Sequence, residues 1–190
     1  MKQSETSLTV NERQHQTDQQ LAEESQQEEA LQTYLDHMEK LLLEKNLRSS
    51  QAGSSVQEVA RVRTLTTLRR VGKSRKGLVL QFLHESHLID QSNPIVDLGS
   101  ADLSNVDLQG ADLRETDISG ANLSGANLMV ANLSGARLTG ASMTFEQLAS
   151  ARSPHDAILP DGSVRSQASI VAHHSVQSHM LDRSRELSPI

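Results

Sequence analysis

The sequence contains no cysteine and no tryptophan, and its aromatic side chains are limited to two phenylalanines and one tyrosine. The lack of cysteine excludes disulfides, thiolate metal sites and cysteine nucleophiles. The scarcity of aromatic rings argues against a conventional core built on large side chains. No stretch approaches the ~20 apolar residues that a membrane-spanning helix needs, and no apolar segment follows Met1 as in a signal peptide. We therefore expect a cytoplasmic protein that is at most peripheral to a membrane.

The formal net charge of −6 is distributed unevenly along the chain. Residues 12–45 contain nine acidic and three basic side chains, whereas residues 46–76 contain eight basic side chains and one acidic one. Neighbouring segments of opposite sign can either pair with each other or bind separate partners. Both interpretations stay open from the sequence.

The N-terminal half is predicted to be helical after a polar start. Residues 1–20 are rich in glutamine with almost nothing to bury, which favours disorder or a frayed helix start. In residues 21–47 the side chains of Leu31, Leu35, Met38 and Leu42 follow each other at helical spacing, so this segment is predicted to be an amphipathic helix.

Two further helices are predicted after a serine-rich linker at residues 49–55, whose last residue, Ser55, can cap the next helix. The second helix runs from Val56 to near Gly72, and a short third helix covers residues 78–89. Pro94 ends this region, because the residue before a proline avoids the helical conformation.

From Val96 onward the period changes to five, and ten units follow without interruption. They read VDLGS, ADLSN, VDLQG, ADLRE, TDISG, ANLSG, ANLMV, ANLSG, ARLTG and ASMTF. The first place is always small or β-branched, the second is mostly Asp or Asn, and the third is Leu, Ile or Met. Neither a helical nor a strand period explains this pattern, so each unit is predicted to stack on its neighbours in a solenoid.

This run resembles the pentapeptide-repeat proteins, whose motif is A(D/N)LXX. The text before it, including EEALQTYLDHMEKLLLEKNL and VARVRTLTTLRR, is similar to a lead-in region of bacterial, notably cyanobacterial, members. The resemblance implies a mainly β solenoid, a right-handed quadrilateral β-helix with four pentapeptides per coil and inward first and third places. The expected organisation is a disordered segment 1–20, a helical lead-in and cap 21–90, a β-helix of about two and a half coils within 91–163, and a disordered tail 164–190.

The third-place side chains are predicted to form the core and two phenylalanines to cap it. The core residues are Leu98, Leu103, Leu108, Leu113, Ile118, Leu123, Leu128, Leu133, Leu138 and Met143. Phe82 is assigned to the N-terminal cap within residues 78–89, and Phe145 to the C-terminal cap at residues 145–149. Residues 158–162 are expected to close the fold with a strand and a turn.

Four units per coil place residues twenty apart on top of each other. Asp102 then stacks on Asn122, and the next two columns repeat this pairing of Asp with Asn. One column combines Asp97, Asp117 and Arg137, so two acids lie adjacent and the arginine offsets them. The outward charges define the candidate interaction surface: Asp97, Asp102, Asp107, Asp112, Asp117 and Arg137.

No catalytic, cofactor or metal site is predicted. His84 and His87 flank Glu85 at a spacing of three, whereas the zinc-protease motif needs four. Histidines 173, 174 and 179 lie in a polar, serine-rich tail for which a disordered segment is the simpler interpretation. No nucleophile motif or phosphate loop occurs, so we expect a protein that is not an enzyme.

The sequence favours a protein–protein interaction or scaffold module of unknown partner. The alternative is a membrane-associated regulator that binds anionic lipid or membrane proteins through basic residues 61–76. Nucleic acid is not expected there, because no aromatic side chains interleave to stack on bases. A third possibility is a DNA mimic that inhibits a topoisomerase, as some acidic family members do, but two and a half coils span only ~12 Å.

Overall fold

Helices occupy the N-terminal half and short β-bridges the C-terminal half of the chain. The structure is a computed structural model that describes residues 2–152 and 155–164. Within these residues the helices are α1 (Lys2–Leu43), α2 (Ser55–Arg70), α3 (Lys73–Glu85) and α4 (Phe145–Ser150), with a 3₁₀ helix at Leu47–Ser49. Of the tail predicted to be disordered, residues 164–190, only Val164 is described; the rest, with its three histidines, lies outside the described residues.

Helix α1 differs from the predicted segment at both ends. Residues 2–20, expected to be disordered or a frayed helix start, are helical, although residues 11–20 are all exposed. Glutamine and glutamate are good helix formers, and pairs such as Gln14 and Asp18 bond one turn apart, so this length of helix needs no packed face. The helix ends at Leu43 rather than at residue 47, because Asn46 adopts a left-handed conformation.

Helices α2 and α3 also begin and end away from their predicted bounds. The N-cap of α2 is Ser54 and not Ser55, and its hydroxyl makes no capping hydrogen bond. Helix α3 covers Lys73–Glu85 instead of residues 78–89. It ends early because His87 has a positive φ of 55° and the Leu88 amide donates to the Leu83 carbonyl, which is a Schellman-type closure.

The helices share a small core around Tyr34 of α1. Its ring packs edge-on against that of Phe82, with ring centroids 6.1 Å apart. Phe82, the residue assigned to the N-terminal cap, therefore contacts α1. The Thr64 hydroxyl donates to the Ala60 carbonyl, so Tyr34 is the donor in its 3.0 Å bond to Thr64. Burial raises the pKa of Tyr34 well above its usual range. Leu31, Met38 and Leu47 complete this buried cluster.

The repeats stack with the predicted twenty-residue register. Parallel bridges join Asp102 to Asn122, Asp107 to Asn127, Asp112 to Asn132, Asp117 to Arg137 and Asn122 to Ser142. The third-place side chains from Leu98 to Leu138 are all buried, while Met143 in the last coil is half-buried. A β solenoid preceded by helices is therefore confirmed, although its bridges are isolated and not parts of long strands.

The column predicted to combine Asp97, Asp117 and Arg137 is bridged between Asp117 and Arg137, whereas no bridge joins Asp97 to Asp117 within residues 2–152. The Ser100 amide still donates to the Gly120 carbonyl at 3.0 Å, so the first unit keeps the twenty-residue register. The Asp117 amide donates to the Ile89 carbonyl at 2.7 Å, and Asp90 forms an antiparallel bridge with Thr116. The contact between the two aspartates stays a prediction.

Helix α4 closes the other end of the solenoid. Thr144 and Gln147 form a capping box, and the Gln147 side chain donates to the carbonyls of Leu123 and Ala126. Leu148 is buried, whereas Phe145, the first residue of this helix, remains 59% exposed. Leu148 lies one helical turn, four residues, after the N-cap Thr144. Ile158 then pairs with Arg137 in parallel and with Val164 in antiparallel, close to the predicted strand and turn.

Candidate interaction surface

The second-place aspartates are first of all turn formers. Each accepts a hydrogen bond from the amide two residues further along the chain, at distances from 2.7 Å for Asp97 to 3.3 Å for Asp107. Asparagines 122, 127 and 132 make the same contact. Such Asx turns explain why Asp or Asn recurs at this place. The sequence analysis missed this role, although the residue type and its fixed spacing signal it.

Two of these aspartates hold the helices on the first coil. Arg61 of α2 contacts Asp97 at 3.0 Å and also donates to the Gly99 carbonyl at 3.0 Å. Lys76 of α3, whose side chain is only 8% exposed, lies 3.3 Å from Asp102 and 3.1 Å from the Ser104 carbonyl. The hydrogen bond from the Ser104 hydroxyl lowers the pKa of Asp102. Desolvation of the carboxylate opposes this shift, and Lys76 adds a smaller lowering effect. Two charge pairs therefore join the lead-in to the solenoid, in addition to the apolar core that the two parts share.

The other three aspartates also have partners within the fold. Asp112 forms a two-point ion pair with Arg114, at 2.9 and 2.7 Å, which lowers its pKa. Asp107 accepts from the Asn127 side chain at 3.0 Å, which confirms hydrogen bonding along that ladder. Arg137 lies 3.7 Å from Asp117, too far for a hydrogen bond. All six predicted surface residues thus contact another part of the fold.

The basic stretch 61–76 is largely used inside the molecule. Besides Arg61 and Lys76, Arg75 pairs with Glu28 of α1 at 3.1 Å. The expected pairing with the acidic helix is therefore present, but two of the three ion pairs of this stretch reach the solenoid instead. Arg63 also contacts α1, because its guanidinium donates to His37 at 2.8 Å. The remaining cations, Arg69, Arg70 and Lys73, are exposed and have no side-chain partner among the described residues.

An open groove, which was not predicted from the sequence, lies between α3 and the solenoid. Its volume is about 880 Å³. Leu78 and His84 of α3 line one side, and Gly110, Ala111 and Val130 line the other. Leu78 and Val130 are each about half exposed. The groove is therefore an accessible, partly apolar surface next to the charged ladder.

His84 lies in the last turn of α3, and His87 follows the end of the helix. His87 pairs with Asp90 at 3.1 Å, whereas the buried Nδ1 of His84 makes no hydrogen bond. No group of three or more side chains suited to a metal ion occurs in residues 2–152 and 155–164. Over the same residues, none of the helices has the length and hydropathy needed to cross a membrane.

The family model for pentapeptide repeats matches the chain in eight copies, over residues 96–129 and 108–144. This part of the chain belongs to the pentapeptide-repeat family. Members of the family are typically non-enzymatic protein-interaction modules, so no catalytic family is indicated. No curated protein matches the chain.

One solved structure is similar to the repeats: HetL, a pentapeptide-repeat protein involved in the regulation of heterocyst differentiation in the cyanobacterium Nostoc sp.. The two chains are 31% identical over an alignment with a TM-score of 0.27. The alignment covers 39% of this chain and 45% of HetL, so the match spans less than half of that protein.

Proposed function

We propose that the chain is a non-enzymatic interaction module that binds a protein partner through the exposed sides of its pentapeptide solenoid. In this proposal residues 91–163 form a right-handed, four-sided β-helix of about two and a half coils. The helices act as its N-terminal cap, and α3 adds a second part of the binding platform.

The proposal is supported above all by where the helices contact the repeats. Arg61 and Lys76 reach first-coil residues Asp97 and Asp102. Asn122, which lies in the second coil twenty residues after Asp102, stays exposed, and so does Ser124 beside it. This face of the solenoid consists of regular turns that carry polar, uncharged side chains. A partner protein can bind such a face without removing charged groups from water, so the cost of desolvation is small.

A photo-crosslinking experiment tests this proposal. A photoreactive residue is placed at exposed Ser124 in the second coil of the full chain, and at exposed Ser55 of α2 as a matched control. In extract of the native host we expect a defined protein product from Ser124 that excess unmodified chain competes away, and none from Ser55. The absence of any competed product from Ser124 and from a second exposed position, Thr139, would overturn the proposal.

A second candidate function is binding to an anionic membrane surface, favoured by the unpaired cations Arg69, Arg70 and Lys73. Each basic side chain near an anionic surface contributes about 1 kcal/mol. Flotation with vesicles of phosphatidylcholine, with and without phosphatidylserine, is the test. Membrane binding predicts co-flotation with the anionic vesicles alone, and its loss when all three residues are changed to glutamine.

DNA mimicry gains no support from the site. A mimic presents unpaired acids at regular spacing, whereas Asp97, Asp102 and Asp112 are already paired with basic side chains of the same chain. The charge left for a topoisomerase is therefore small.

A further inference from the structure

The seventh unit, ANLMV, differs from all other repeats at its corner. Its fourth and fifth places are Met129 and Val130, whereas the other units combine Gly, Ser, Thr, Gln or Arg with Gly, Ser, Asn, Glu or, once, Phe. Met129 is 51% exposed and Val130 is 48% exposed. Two adjacent aliphatic side chains therefore point to solvent at a place where the repeat needs none.

Val130 also has an unfavourable backbone conformation. Every fifth-place residue from Ser100 to Gly140 has a positive φ, and five of these nine are glycine. Val130 has a φ of 61°, which is a genuine outlier for a β-branched residue because Cβ crowds the backbone. Valine thus adds strain here and gains little burial in return. Strain at an exposed position points to a contact outside the fold.

Val130 lines the groove between α3 and the solenoid, opposite Leu78. Leu78 is 51% exposed, and Ala111 lies beside it on the solenoid side. The groove thus offers aliphatic contacts from both of its walls.

The charges around the groove are mainly acidic. Glu85 bonds to the neutral side chain of Gln81, and Asp107 to that of Asn127, so neither carboxylate has a cationic partner in the described residues. Asp112 also lines the groove, but Arg114 neutralises it. A segment that carries aliphatic side chains next to a lysine or arginine complements both features.

We propose that this groove is a docking site for a segment of a partner protein in which aliphatic side chains are flanked by basic ones. The inference rests on the proposed function and specifies its site and the chemistry of its partner. Val130 supplies the central aliphatic contact. Leu78 packs on the opposite side, and Glu85 and Asp107 attract the flanking cations.

The test uses a short synthetic helix-forming peptide of leucine and lysine, with fluorescence anisotropy as the readout and the full chain as the receptor. Two further peptides replace lysine by glutamate, or leucine by alanine. Val130→Gly is compared with Glu115→Gly, a matched control at another exposed fifth place with a φ of 54°. Glycine adopts this conformation without steric cost, so both variants are expected to keep or raise the urea midpoint.

We expect the leucine–lysine peptide to bind and both altered peptides to bind far more weakly. Val130→Gly should weaken binding about tenfold, because the aliphatic contact is lost, while Glu115→Gly stays close to the parent chain. Leu78→Ser provides a second variant on the other side of the groove with the same expected effect.

Equal binding by the parent chain and Val130→Gly, or equal binding of the alanine–lysine peptide, would overturn the proposal. Sedimentation that shows a dimer dissociated by Val130→Gly would overturn it in favour of a second copy. Vesicle flotation lost in Val130→Gly would overturn it in favour of a membrane. If the peptides fail while crosslinking from Ser124 still captures a protein, the groove inference falls and the proposed function stands.

Discussion

The contact between Lys76 and the first coil gives the sharpest test of how the lead-in is held. The Lys76 ammonium is buried against the Ser104 carbonyl and Asp102, and a buried charge is tolerated only with such partners. Lys76→Met keeps the length of the side chain and removes the ammonium. Hydrogen bonds to charged groups contribute ~1.5–3 kcal/mol each, and the saved desolvation offsets part of their loss. We therefore expect the free energy of unfolding to fall by about 2 kcal/mol in urea melts followed by circular dichroism.

Arg75→Met is the matched control on the same helix. Its partner Glu28 is 64% exposed, and such surface pairs contribute ~0–1 kcal/mol. If Lys76→Met costs no more than Arg75→Met, the charge contact does not hold α3 on the solenoid.

The pH dependence of stability gives a second readout, because the pKa of Asp102 is lowered in the folded state. The stability that this carboxylate contributes is present above its unfolded pKa and is lost as the pH falls through its folded pKa. Lys76→Met raises that folded pKa, so acid unfolding should begin at a higher pH.

Two further substitutions test the stacking register and the close approach of α3. Arg137→Asp places an acid beside Asp117 and should lower the free energy of unfolding by ~1 kcal/mol, with partial recovery in salt. Asn132→Asp should cost less, because its neighbour in the ladder, Asp112, is already paired with Arg114. Equal costs in urea melts would show that the assigned columns are wrong. Gly77→Ala should destabilise by ~1 kcal/mol or more, despite the better helix propensity of alanine, because its Cβ would lie 2.7 Å from the Asp107 carbonyl oxygen. A higher thermal midpoint in this variant would contradict the position of α3.

The solenoid could be predicted from the sequence because its period alone decides which side chains point inward. Leu103 and Leu123 are twenty residues apart and both fully buried, as the five-residue phase requires. The same phase predicted the bridge of Asp102 to Asn122. The handedness of the solenoid and the identity of its partner do not follow from the five-residue period, so both remain proposals.

The predictions failed where the period ends. Leu88 and Ile89 continue the apolar pattern of α3, yet their carbonyls accept from Val96 and Asp117, and these distant contacts end the helix. Phe145 occupies a fifth place, which faces outward, so its large apolar side chain did not indicate burial. Val130 could have been noticed from the sequence alone, since it stands at a place where glycine prevails.

Charge patterning gave the sign of each segment but not its partner. The basic stretch follows an acidic helix, and proximity along the chain favoured pairing between the two. In the structure Arg61 and Lys76 instead reach Asp97 and Asp102, which lie 26–36 residues further along. These two aspartates occupy adjacent sides of the first coil, and the two cations come from different helices. Helix α3 also contacts the solenoid through its backbone, because the Asp107 amide donates to the Lys73 carbonyl at 3.3 Å. These contacts hold α3 beside the first coil, where its Leu78 lines the same groove as Val130.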